Sequence, residues 1–127
     1  MAKRLFDTNA ILTDCTDISN VLISSKTLEE LENIKSSSHK DNDIKYKARV
    51  AVRAIREQNP EIVIVQKSDY DKIEELGLEI TNDNLIIASA WRYSQENPIV
   101  FVTNDILCSL IANTYFGLDV FQLFKSF

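Results

Sequence analysis

Glycine is nearly absent from this chain, with Gly77 and Gly117 the only two in 127 residues. No glycine-rich loop can therefore wrap a phosphate, and the P-loop ATPase and dinucleotide-binding readings fail. Histidine occurs once and cysteine twice, at Cys15 and Cys108, too few to assemble a zinc site within the chain. Cys108 lies in an apolar helical run and reads as a reduced core thiol. No apolar stretch approaches the ~20 residues of a membrane span. The segment Met1 to Asp7 carries basic residues without the apolar core of a secretory signal. A cytoplasmic protein with no membrane partner is expected. Internal repeats and low-complexity tails are also missing.

What remains is ordinary globular material. The hydrophobic share is 45% and the charged share 26%, and 127 residues suit one domain burying roughly two thirds of its unfolded surface. The formal charge of −5 argues at first sight against a nucleic-acid partner. Of the 19 acidic residues, however, four are candidate site groups, which leaves 15 against 14 basic residues. Net charge does not decide the partner.

Short β-branched runs alternate with helical patterns. Arg4-Leu5-Phe6 and Val21 to Ser24 read as strands. Ile62 to Val65 and Ile99 to Val102 are continuous apolar runs of the kind that mark strands buried on both faces. Leu118 to Leu123 alternates like an edge strand. Helical periodicity covers Thr27 to Lys35, Tyr46 to Gln58, Asp83 to Tyr93 and Ile106 to Tyr115. Ser36 to Asp43 is a polar loop between two of these helices. Lys67 to Gly77 is ambiguous, one reading being a short helix closed by Gly77. The alternation predicts an α/β fold: a three-layer α/β/α sandwich around a mainly parallel sheet of about five strands, forming one domain over residues 1–127.

Four acids fall at the ends of these elements. Asp7 follows the first strand, Glu30 lies near the first turn after the second, Asp83 opens a helix, and Asp105 follows the fourth strand. In a parallel sheet all four can reach the carboxyl edge, where ligands bind at the reversal of strand order. Carboxylates crowded together repel unless a cation lies between them. Each acid also has a blander reading. Asp83 and Asp105 suit helix N-termini through the macrodipole, and Glu30 follows Thr27 at capping-box spacing. Asp7, with Thr8 and Asn9 after it, is the least easily dismissed, because a charge next to a buried strand needs partners.

The segments Phe6-Asp7-Thr8-Asn9, Thr27-Leu28-Glu29-Glu30-Leu31, Asn82-Asp83-Asn84-Leu85-Ile86 and Phe101-Val102-Thr103-Asn104-Asp105 resemble, in order and spacing, the four acidic motifs of PIN-domain ribonucleases. The resemblance runs from the first strand through Leu123. Within the family, the second motif and the helix carrying Ala48, Arg49 and Arg53 look most like the PIN domain of PhoH-like proteins, which continue into an ATPase. That implies a stand-alone protein or an isolated domain of a longer one. Similarity to VapC-like toxins is weaker in the Leu-Glu-Glu-Leu segment and would imply an antitoxin partner. A homodimer stays open.

The resemblance implies a metal-dependent nuclease acting on single-stranded RNA. One or two Mg2+ or Mn2+ ions, about 4 Å apart when paired, would be held by Asp7, Glu30, Asp83 and Asp105. Asn9 and Thr103 would support these carboxylates by hydrogen bonding. Arg49, Arg53 and Arg56 share one helix face and could carry a nucleic-acid backbone, Arg49 and Arg53 being the substrate-binding candidates; an ordinary solvated face is the alternative. Glu29, Glu32 and Asp14 are rival acids nearby; Glu29 and Glu32 are assigned to a solvated helix face, and Asp14 and Asp17 to loops. A fold-preserving, catalytically inactive binding or regulatory module is the competing function. A phosphoacceptor receiver domain is excluded, since Asp7 stands alone and Gln66-Lys67 follow the third apolar run.

Overall fold

The computed structural model describes residues 2–123. Five strands form one sheet, β1 (Lys3–Phe6), β2 (Val21–Ser24), β3 (Glu61–Val63), β4 (Ile99–Thr103) and β5 (Asp119–Gln122), in the order β3-β2-β1-β4-β5. Every pairing is parallel. Six helices connect them: α1 (Thr8–Thr13), α2 (Ser25–Ser36), α3 (Asn42–Gln58), α4 (Lys67–Glu75), α5 (Asn82–Ser94) and α6 (Ile106–Phe116). The expected three-layer α/β/α arrangement with a parallel central sheet is the one found.

The two-residue period of the strands sorts side chains between layers. Leu5, Leu22 and Phe101 point into a core shared with Ile73 of α4, Ile86, Ile87 and Ala90 of α5, and Ala112 and Phe116 of α6. Phe6, Val21, Ile23 and Val102 enter a second core with Ala10 and Ile11 of α1, Leu31 of α2, and Ala48 and Ala51 of α3. Leu5, Leu22, Ile23 and Phe101 are completely buried, each worth about 1.5–3 kcal/mol relative to exposure. The central β1 pairs with β2 through Leu5 and Leu22 and with β4 through Leu5 and Phe101. From β1 the chain moves outward through β2 and β3, then returns to build β4 and β5 on the other side. Strand order therefore reverses between β1 and β4, and a crevice opens at their carboxyl ends.

Three elements differ from the sequence expectation. Residues 8–13 form a helix that was not foreseen; six residues are too few to display a 3.6-residue period. The third strand covers only Glu61–Val63, and Ile64 is 66% exposed. This strand lies at the sheet edge, so the apolar run Ile62 to Val65 is not buried on both faces. Helix α3 begins at Asn42, where the Asp41 carboxylate accepts from the Ile44 N–H, and so takes up the end of the predicted polar loop. The ambiguous segment is α4. Gly77, at φ +73°, ends it in the left-handed conformation, with Leu78 N–H donating to the Ile73 carbonyl and Gly77 N–H to that of Glu74.

Among the described residues, no helix is long and apolar enough to cross a membrane.

Candidate active site

Asp7 directly follows β1 and lies buried beside β4, where strand order reverses. Its backbone N–H donates to the Val102 carbonyl at 3.1 Å, which continues the β1–β4 pairing by one residue. Its side chain caps α1, with Oδ1 accepting from the Ala10 N–H at 2.8 Å. The residue is only 2% exposed, and Oδ2 is buried with no hydrogen-bond partner. A buried carboxylate oxygen without a donor is costly and calls for a counter-charge. Burial is the main reason that the Asp7 pKa rises from 3.8 to about 6. The Thr103 hydroxyl and the Ala10 N–H pull it partly back, although no donor reaches Oδ2 in bonding geometry. The charges of Asp83 and Asp105 push it up further.

Asp105, half-exposed, caps α6 in the same manner, its Oδ1 accepting from the Cys108 N–H at 3.0 Å. Thr103, fully buried at the end of β4, accepts the Asp105 N–H on its hydroxyl at 3.0 Å. The helix-cap reading of Asp105 is thus realised. Because a cap uses one carboxylate oxygen, it leaves the other for a ligand. Asn104 ties the same loop to α1 through its side-chain amide and the Thr13 hydroxyl, 2.8 Å apart.

Glu30 is not a capping residue. Helix α2 starts earlier, at Ser25, and is capped by Ser24, whose hydroxyl accepts from the Lys26 N–H. Glu30 instead projects from the second turn towards α1, where the Thr8 hydroxyl donates to its Oε1 at 2.7 Å. Thr8 Oγ1 also lies 3.1 Å from the hydroxyl of the fully buried Thr27. Burial raises the Glu30 pKa, the Thr8 hydrogen bond opposes the rise, and Asp83 adds to it.

Asp83 sits in the exposed first turn of α5. The cap there is Thr81, which accepts from the Asn84 N–H, so Asp83 retains only its macrodipole reading as a structural role. It stands between two clefts. One, of about 440 Å3, runs between α1, α2 and α5 and includes Glu30, Thr8 and Asn9. The other, of about 350 Å3, includes Asp105 and Cys108. Cys108 is the core thiol expected, and it also borders the acids. Burial, then the charges of Asp83, Asp105 and Asp7, raise its pKa and keep it a thiol.

The four acids thus occupy one edge, graded from buried Asp7 to exposed Asp83. An all-carboxylate set suits a hard divalent cation. The orphaned Asp7 Oδ2 and the push of the Asp83 and Asp105 charges on Asp7 fit one. The side chains as placed do not close on it: among the described residues, no three His, Cys, Asp or Glu side chains converge as a ligating group.

The other candidates fall in different places. Asn9 is exposed on the wall of the larger cleft and makes no side-chain hydrogen bond to a carboxylate among the described residues. Arg49 and Arg53 border a separate depression of about 250 Å3 with Lys35 and Arg56, and no acid borders it. Glu29 pairs with Lys26 at 3.2 Å and Glu32 with Lys35 at 3.5 Å, both on the solvated side of α2. The Thr16 N–H holds the Asp14 carboxyl below its ordinary pKa, away from the crevice. The sequence reading missed Thr8 as the partner of Glu30. Its place beside Asp7, as a small hydroxyl at the end of a buried strand, was the available signal.

Comparison with known proteins bears on the fold and the family. No curated protein matches the sequence. The crystal structure of VapBC-5 from Mycobacterium tuberculosis, a member of the VapBC family of toxin-antitoxin systems, has the same fold. Its TM-score is 0.68 at 16% identity, with 97% of this chain and 100% of that chain covered. Residues 5–122, from β1 to the end of β5, match the model of the PIN domain, and the chain belongs to that family.

Proposed function

We propose that this chain is a divalent-metal-dependent ribonuclease that hydrolyses phosphodiester bonds of single-stranded RNA at the carboxyl edge of its sheet. PIN domains are typically metal-dependent nucleases, which supports the reaction class. The observation that carries the reading is the unpartnered Oδ2 of Asp7, buried at the point where strand order reverses and repelled by Asp83 and Asp105.

Asp7, Asp83, Asp105 and Glu30 would hold Mg2+ or Mn2+. Such an ion, when bound, supplies a nucleophilic water at neutral pH and offsets charge building on the phosphate. The chain's own contribution is placement. Asp7 is fixed through Oδ1 by the α1 cap, and Asp105 by the α6 cap, so each keeps a second oxygen for ligation. Thr8 aims Glu30 across the cleft. Asp83, which accepts no hydrogen bond from a nitrogen or oxygen donor among the described residues, is the carboxylate freest to turn towards the others. Metal affinity is expected to fall as pH drops through about 6, where Asp7 takes up a proton.

The test is cleavage of a single-stranded RNA by purified protein with Mg2+ or Mn2+, with chelator and with Asp105→Asn as controls. Cleavage lost in both controls is the expected result; equal cleavage by the variant would identify a contaminant and end the proposal. Thr8→Val, which keeps the shape and deletes the hydroxyl, is expected to weaken Mn2+ affinity about 10–100-fold while costing about 1 kcal/mol of stability. Titration of Mn2+ against the variant checks the first value and urea unfolding the second.

The absence of a closed group of three ligands among the described residues favours one alternative, a binding or regulatory module without catalysis. The two readings part on melting temperature. A ligating site raises it with millimolar Mn2+, since the ion binds the folded state, and an inactive module without a site gives no shift. Likeness to a toxin-antitoxin protein supports a second proposal, that a protein partner controls access to the crevice.

A further inference from the structure

The larger of the two clefts beside Asp83 has a chemistry that the four acids do not account for. Glu30 and Asp83 border it, and so does Lys40, exposed on the loop that leads from the end of α2 to α3. Three carboxamides, Asn9, Asn33 and Asn82, border the same cleft from three helices, Asn82 next to Asp83 and Asn33 between Glu30 and the Lys40 loop along the chain. None of their side chains makes a hydrogen bond to a described residue, and all three are exposed. Leu12, Ile34 and Ile44 supply apolar surface. The smaller cleft differs. It has no basic residue, and its one carboxamide, Asn84, is buried and already donates to the Glu79 carbonyl at 2.8 Å.

A cleft of about 440 Å3 lies within the range of roughly 300–1,000 Å3 seen for small-molecule sites, but its lining is more polar than is usual there. Each carboxamide offers two donors and an acceptor, which is what hydrogen bonding to the edge of an unpaired base requires. A single lysine suits one phosphate as a point charge. The carboxylates of Glu30 and Asp83 would repel a phosphate unless a cation intervenes, so a phosphate without one is drawn to Lys40.

We infer that this cleft seats one nucleotide of the substrate strand next to the cleaved phosphate, its base hydrogen-bonded by Asn9, Asn33 and Asn82 and its distal phosphate on Lys40. This deepens the ribonuclease reading and rests on it for the placing of the cut, and the cleft makes cleavage base-selective.

Nucleoside 5′-monophosphates test the subsite without requiring catalysis. In side-chain amide NMR spectra of the full chain, one of AMP, GMP, CMP and UMP is expected to move the Asn33 and Asn82 signals at several-fold lower concentration than the other three. Lys40→Ala should raise the dissociation constant of the preferred monophosphate several-fold and flatten its salt dependence. Asn33→Ala should bring the four nucleotides within about twofold of one another. Both positions are exposed, so neither change threatens folding; Lys67→Ala on α4, whose partner is Asp71 at 3.3 Å, is the control with no effect. In cleavage of mixed-sequence RNA, the same base should be enriched on one side of the cut. Perturbed carboxamide signals without RNA cleavage would remove the ribonuclease reading and leave the subsite standing. Cleavage without base preference, or four monophosphates that leave the signals unmoved, would overturn the subsite.

Discussion

Asp7→Asn is expected to make the metal-free protein more stable while reducing metal-dependent cleavage on the order of a thousandfold, a loss of about 4 kcal/mol of transition-state stabilisation. The two effects have one source. A carboxyl whose pKa rises from 3.8 in the unfolded chain to about 6 in the fold costs about 3 kcal/mol when ionised at pH 7. Because the folded state holds its proton more tightly, this group favours folding fully below about pH 4. That contribution is lost as pH rises through about 6. Asparagine carries no charge and still offers Oδ1 to the Ala10 N–H, so the α1 cap survives. Part of the gain is spent on the new amide donor, which must find an acceptor near Thr103. A net rise of roughly 3–10 °C in melting temperature at pH 7 is expected. The difference between the two proteins should shrink as pH falls from 7 to 4. Addition of Mn2+ should reverse the order, since only the wild type retains all four proposed carboxylate ligands. A variant no more stable than wild type at pH 7, with the same pH profile, would mean that the Asp7 charge is satisfied in the fold and that the site has no need of a cation.

Arg92→Ala is expected to cost about 3–5 kcal/mol, a large share of the 5–15 kcal/mol that holds a typical domain together. Arg92 of α5 grips Asp69 of α4 with two hydrogen bonds, Nε to Oδ1 at 2.9 Å and Nη2 to Oδ2 at 3.3 Å. It also donates to the Ile64 carbonyl at 2.8 Å, just where the chain leaves β3. The Asp69 side chain is 1% exposed, and its only other donor among the described residues is the Gln66 N–H at 2.8 Å. Loss of the guanidinium would strand a buried charge, a far larger penalty than loss of a surface pair. The double variant Asp69→Asn, Arg92→Ala should recover part of the loss, because no buried charge is left unpaired. Urea unfolding of the three proteins decides the matter; a single variant within 1 kcal/mol of wild type would show that Asp69 is rehydrated instead. The same clamp anchors the helix that carries Asp83, so a loosened α5 should also weaken Mn2+ affinity.

Much of the molecule could be read from local pattern. Alternating β-branched and helical segments announced a parallel sheet between helical layers, and the order of the four acidic segments pointed to the family that residues 5–122 match. Other features could not. Nothing local distinguishes the run Ile62 to Val65 from a central strand; its place at the sheet edge follows from strand order. Helical spacing put Arg49 and Arg53 on one face of α3 but could not say that this face borders Lys35 and not the acids. The capping-box spacing of Thr27 and Glu30 was a false lead, dispelled only because α2 begins two residues earlier, at Ser25.

The division is physical. On which edge of the sheet the four acidic residues emerge follows from where strands end and helices begin, which periodicities of two and 3.6 residues mark along the chain. How deep each one lies does not. Asp7 and Asp105 both follow a strand and cap a helix, yet one is buried with an unpaired oxygen and the other is half in water. That contrast arises from the packing of α1 and α6 around the reversal in strand order. Such packing governs the dielectric around each carboxylate and hence its charge.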